Sequence, residues 1–250
     1  MRFRPCIDIH DGRVKQIVGG SLSDEMGAQE NYVSEHGAGY FGRLYRTCNV
    51  PGGHIILLNK PDTPQYREDI RAAAEERVAT SVKHFPGDGV DERDHHLLTS
   101  VNSLSVDEWM DSYGKIYKAM INAGTLTVMA GHIAFPAFEN KIDPSHKGQI
   151  IPASLSKALL VDLLREELKF NGMIISDASP MVGFTSAMDR KTAVPTAIEN
   201  GCDMILFNKD LGEDYHFMME GLRSGLLSRQ RLDDANKRIL AVKAALMLPE

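Results

Sequence analysis

The chain has 250 residues, enough for one large domain such as an α/β barrel or for two small ones. With 43% hydrophobic and 25% charged residues it has a globular composition and can bury a core without disulfides. A net charge of −6 with no basic run excludes a generic nucleic-acid binder. Cys6, Cys48 and Cys202 are far apart, lie in apolar or helical contexts, and read as free thiols of a reducing compartment. Without a Cys-x-x-Cys pair no metal site is expected. Residues 1–10 lack the basic-then-apolar form of a signal peptide, and no apolar run reaches the length of a membrane span. A cytoplasmic protein without membrane contact is expected.

In chain order, short β-branched runs alternate with amphipathic stretches. Strands are expected at Phe3–Ile9, His54–Leu58, Val78–Val82, Leu126–Ala130, Met173–Ser176 and Met204–Phe207, each bounded by Gly, Pro, Asn or Asp. Arg13–Val18 reads as a hairpin arm after the first. Helices are expected at Tyr40–Cys48, and from Thr63, with Pro64 in its first position, to about Glu76. Ser105 and Glu108 form a capping box that opens a helix to about Asn122, ended by Gly124. Ser154–Leu168, Thr192–Asn200 with a stop at Gly201, and Ser228 to about Leu246 complete the set.

Strands that alternate with helices make parallel sheets with helical crossovers. The expected fold class is therefore α/β, a (βα)-barrel-like single domain over residues 1–250. A closed barrel needs eight strands, and six are recognisable. In such folds chemistry gathers at the carboxyl ends of the strands. Asp8, Lys83, His84, His132, Asp177 and Asn208 are expected at or just past those ends.

The run Lys83-His84-Phe85-Pro86-Gly87-Asp88-Gly89 follows the third strand, and Asp94 and His96 follow soon after. Lys83 and His84 can donate hydrogen bonds to substrate hydroxyls. An aspartate that holds an imidazole makes a general acid/base near neutral pH. The bland reading is a polar surface loop. Asp177 leaves an apolar strand into a loop, as a nucleophile would. Its bland reading is a turn cap.

Together these stretches resemble the β-N-acetylhexosaminidase branch of glycoside hydrolase family 3. The resemblance is carried by Lys83–Gly89 with Asp94 and His96, Met129–Ile133, Gly172–Asp177, Gly201–Leu206 and Arg231–Asp233, and it covers residues 77–250. It implies that Asp177 attacks the anomeric carbon. It implies that His96, held by Asp94, protonates the leaving oxygen and then activates water, with retention of configuration. Lys83, His84 and His132 would contact a carbohydrate substrate, and no metal or organic cofactor is implied.

Residues 1–76 differ. Phe3-Arg4-Pro5-Cys6-Ile7-Asp8-Ile9-His10-Asp11-Gly12-Arg13-Val14-Lys15-Gln16-Ile17-Val18-Gly19-Gly20, with Asn31–Glu35 and Gly52–Ile56, resembles the first quarter of the histidine-biosynthesis isomerase barrel. There the aspartate matching Asp8 is an acid/base. The phosphate-binding loops and second acid of that isomerase lie beyond the matching segment. The expectation is a chimeric barrel joined near Glu76-Arg77-Val78, by engineering or natural recombination. Asp8 would then stand, by position, for a sugar-contacting residue of the hydrolase. Such a sheet leaves edges that a second copy could cover, as a homo-oligomer. Three outcomes follow. These are a retaining glycosidase, a non-catalytic hybrid scaffold, and a sugar-phosphate isomerase resting on Asp8.

Overall fold

Apolar runs flanked by glycine, proline and aspartate form strands close to their expected places, and the differences lie at their ends. The computed structural model describes residues 6–10, 13–17, 30–48, 54–57, 79, 81–93 and 97–246. The helix expected from Thr63 to Glu76 and the join at residues 76–78 lie outside the described residues.

β1 (Cys6–His10) turns back on β2 (Arg13–Ile17), the hairpin arm, and β3 (Glu30–Val33) pairs antiparallel with β2. β4 (His54–Leu57) adds to β1 in parallel. The second sheet holds β5 (Ser81–Phe85), β7 (Thr127–Ala130), β9 (Met173–Ala178) and β10 (Met204–Leu206), all parallel. A short ladder joins β6 (Ser100–Val101) to β8 (Ile133–Ala134). β4 lies against β5, so the two sheets meet edge to edge. The six parallel strands therefore stand side by side in chain order, as in a (βα) barrel. The ladders of the described residues do not close into a ring.

β7 is buried throughout and β9 almost so, as parallel strands covered on both faces must be. Two shifts matter for chemistry. The third strand begins later than Val78 and includes Lys83 and His84, which were expected in the loop beyond it. The strand Met173–Ala178 runs past Ser176, so Asp177 is its penultimate residue. Asp8 likewise lies inside β1, paired with Ile56.

Helices follow their caps. Ser105 accepts from the Glu108 amide while the Glu108 carboxylate accepts from the Ser105 amide, the expected capping box. That helix, Val106–Trp109, widens through a π-turn at Met110–Gly114 and continues as Lys115–Asn122. The stretch expected as a helix from Ser154 opens with a tight turn at Ala153–Leu155. It then runs as a π-helix, Ala158–Glu167, burying Leu159, Leu160, Leu163 and Leu164. Arg190–Glu199 stops before Gly201, and Arg229–Ala245 closes the described chain. Pro136–Ile142 and Leu211–Ser224 are additional helices, the latter capped by Asp210. Among the described residues no helix is long and apolar enough to cross a membrane.

Candidate active site

Asp177 sits at the carboxyl end of β9 and is 8% exposed. Its Oδ1 accepts the Ala178 amide at 2.7 Å, which holds the carboxylate at the strand end. His84, on β5, brings Nε2 to 3.7 Å from Asp177 Oδ2. The other nitrogen, His84 Nδ1, is 2.7 Å from Asp88 Oδ2. A carboxylate oxygen only accepts, so Nδ1 carries the proton there. One imidazole thus stands between two aspartates, oriented by Asp88 and facing Asp177. β7 separates the two strands, and Gly131 just beyond it keeps the passage open. A Cβ there would lie 3.0 Å from the His84 Cβ.

The loop that carries Asp88 is tied from outside the motif. Gly87 has φ +127, and a Cβ on it would lie 2.2 Å from the Tyr113 ring, so only glycine fits. The Tyr113 hydroxyl donates to the Asp88 carbonyl. Burial, then the Asp88 charge, raises the Tyr113 phenol above its ordinary value and keeps that donor protonated. Trp109, fully buried, donates Nε1–H to the Pro86 carbonyl at 2.8 Å. Trp109 thereby anchors this loop. The Lys83–His84 and Phe85–Pro86 peptide bonds are cis.

Lys83 has an exposed side chain on β5. Asp94 and His96 lie outside the described residues. Their flanks are fixed. Asp91 accepts the Arg93 guanidinium and the amides of Val101 and Arg93, and these hold its carboxyl far below the usual range. Asp8 is half-buried on β1, in the other sheet.

His132, expected to contact substrate, is fully buried. Its Nδ1 is 2.8 Å from Ser154 Oγ and its Nε2 is 3.0 Å from the Ala178 carbonyl. A carbonyl only accepts, so Nε2 carries the proton. Both ring nitrogens are engaged by protein, and His132 braces the backbone beside Asp177. Asn208 is also drawn away from the site, since its Nδ2 donates to Asp214 at 3.0 Å. Asp88 was missed by the sequence reading. Its signal was the spacing of four residues from His84.

A second buried carboxylate lies at the opposite end of the sheet. Asp203 accepts Arg165 at 2.6 Å, Arg231 at 2.8 Å and the Ile174 amide at 2.8 Å. Burial lowers the Arg165 guanidinium to about 10, against the pull of Asp203, so it stays charged at neutral pH. The neighbouring Cys202 thiol is pushed up to about 12, by burial first and then by the Asp203 charge. No group of three His, Cys, Asp or Glu among the described residues is arranged to hold a metal ion.

Residues 66–242 match the family model described as glycosyl hydrolase family 3 N terminal domain. The chain belongs to glycoside hydrolase family 3. It is 50% identical over 182 residues to a β-N-acetylglucosaminidase/β-glucosidase of Cellulomonas fimi, covering 72% of this chain and 32% of that protein. A solved β-glucoside phosphorylase, BglX bound to 2FGlc, superposes with a TM-score of 0.71 at 48% identity. It covers 73% of this chain and 33% of that one. The chain thus spans about a third of the length of these family 3 relatives. A smaller segment is similar to another family. A phosphoribosyl imidazole-4-carboxamide isomerase of Neurospora crassa is 44% identical over 72 residues, 28% of each chain. The hybrid reading of the sequence accords with this pair of matches. The family 3 match begins at residue 66, ahead of the join expected at residues 76–78.

Proposed function

We propose that this chain carries the catalytic half of a retaining β-N-acetylhexosaminidase, grafted onto an isomerase-like first segment. The observation that carries the reading is the placement of His84 between Asp88 and Asp177, with Asp177 at the carboxyl end of its strand. In the first step Asp177 attacks the anomeric carbon. The C–O ester bond forms as the glycosidic C–O bond breaks, and His96 gives its proton to the leaving oxygen. In the second step His96 takes a proton from water. The water oxygen attacks the anomeric carbon and the ester breaks, which restores the Asp177 carboxylate. Asp94 holds His96. Lys83 and His84 bind sugar hydroxyls, and Asp8 stands, by position, for a sugar-contacting residue. A terminal N-acetylhexosamine is the expected carbohydrate.

A second reading has one observation in its favour, the 48% identity to a protein described as a β-glucoside phosphorylase. Phosphate would then attack the glycosyl ester in place of water. An imidazole acid/base suits that reaction, because a carboxylate in its place would repel the incoming anion.

The test incubates the full chain and Asp177→Ala with an aryl N-acetyl-glucosaminide, with and without phosphate. Phenol release by the first and not the second supports the double displacement. A sugar 1-phosphate seen by phosphorus NMR selects phosphorolysis, and free sugar selects hydrolysis. Equal background from both proteins under both conditions leaves a non-catalytic hybrid scaffold.

A further inference from the structure

We propose that Thr99 is a positioning residue that ties the acid/base loop to the segment after the nucleophile, an inference that rests on the proposed function for its catalytic meaning. Thr99 Oγ donates to the Gly183 carbonyl at 3.3 Å and is 3.0 Å from Ser186 Oγ. A hydroxyl has one proton and two lone pairs. With its proton on Gly183, Thr99 accepts the proton of Ser186, and both bonds form together. They join residues 84 and 87 positions apart in the chain.

Both ends of this tie lead to chemistry. Thr99 is three residues past His96, and three residues of chain span at most about 11 Å. Anchoring Thr99 therefore limits where His96 can go. The next residues are fixed too, since Ser100 and Val101 form β6 and pair with β8. On the other side, Phe184 follows Gly183 and packs on the His132 ring, with centroids 5.3 Å apart. His132 donates to the Ala178 carbonyl, one residue from Asp177. The path Thr99, Gly183, Phe184, His132, Ala178, Asp177 is a continuous set of contacts between the two loops. A retaining glycosidase needs its acid/base and nucleophile on opposite sides of one bond, so their relative placement sets the rate.

Thr99→Val keeps the shape of the side chain and removes both bonds, whereas Thr99→Ser keeps the hydroxyl. Two readouts separate the tie from the function. Amide hydrogen exchange of the full chain is read at residues 97–101 and 182–186, with the Arg229–Ala245 helix as internal reference. Several-fold faster exchange at both segments in Thr99→Val, reversed in Thr99→Ser, with the reference unchanged, supports the tie. Exchange equal to the parent overturns it, whether or not the protein is active. Steady-state cleavage of the aryl glycoside is expected to show kcat lower by about 10- to 100-fold in Thr99→Val. KM should change little and Thr99→Ser should recover most of kcat. Faster exchange with unchanged kcat in an active parent overturns the positioning role. A parent with no turnover refutes the proposed function and leaves the exchange result to decide the tie alone.

Discussion

Two buried aspartates mark opposite ends of one ladder, and their partners differ. Asp203 meets the start of β9 through the Ile174 amide and is held by Arg165 and Arg231. Asp177 lies three residues further along the same strand, about 10 Å away at the rise of a strand. The His84 imidazole faces it at 3.7 Å, too far for a hydrogen bond. The first carboxylate is neutralised by two guanidinium groups and fixed in geometry. The second stands beside an imidazole at the end of the sheet where substrates bind in such folds. Both are buried aspartates, 3% exposed at Asp203 and 8% at Asp177. On the proposed function, the partners decide whether an aspartate stabilises or reacts.

The comparison breaks if the two aspartates behave alike on substitution. Asp177→Asn should lower glycoside cleavage by a factor on the order of 10⁴ or more, as loss of a nucleophile does in other enzymes. Its unfolding free energy, from urea denaturation, should stay within about 1 kcal/mol of the parent or rise. Asp203→Ala should do the reverse. It leaves two guanidinium groups without their buried partner, and breaking such a pair costs about 3–5 kcal/mol. The urea midpoint should fall accordingly, while kcat per folded molecule stays near that of the parent. A stable Asp203→Ala, or an unstable Asp177→Asn, would remove the distinction between the ends.

A smaller effect is expected at the loop that carries Asp88. Gly87→Ala pushes a Cβ against the Tyr113 ring at a φ that other residues rarely adopt. The combined steric and backbone strain should cost about 1–3 kcal/mol. The Asp88 carboxylate would move with the loop, so kcat should drop along with stability. Lost stability at full kcat would mean that Asp88 does not orient His84.

The proposed site was legible in the sequence because its parts are contiguous. Lys83, His84 and Gly87 stand in one run, and Asp177 closes an apolar strand. What supports them was not legible. Trp109 and Pro86 are 23 residues apart, and His132 and Ala178 are 46 apart, so no local pattern links them. His132 shows the consequence. A histidine after a strand looks like a ligand contact, and only the folded chain shows both its nitrogens taken by Ser154 and Ala178. The Asp203 cluster is harder still to read, because its two arginines come from helices far apart in the chain. The fold class was readable from alternation. Strand ends were less so, since Ser81–Phe85 is decided by pairing with β7 rather than by its own residues.

The smallest predicted effect lies away from both ends and sets the scale for them. The Ser105 cap satisfies the Glu108 amide, and the Glu108 carboxylate returns the bond to the Ser105 amide and hydroxyl. Ser105→Ala should cost about 1 kcal/mol at neutral pH. The Ser105 hydroxyl and then its amide hold the Glu108 carboxyl below its ordinary 4.5. A depressed folded pKa gives stability that is present above the unfolded value and is lost as pH falls through the folded one. The gap between the parent and Ser105→Ala should therefore be full at pH 6 and narrow below about pH 4, read from urea midpoints at each pH. Because this helix carries Trp109, which anchors Pro86, the cap also reports on the loop. Fraying that lowers kcat as well as stability would show that the proposed site draws support from outside the motif, while a change in stability alone would show that it does not depend on this helix end.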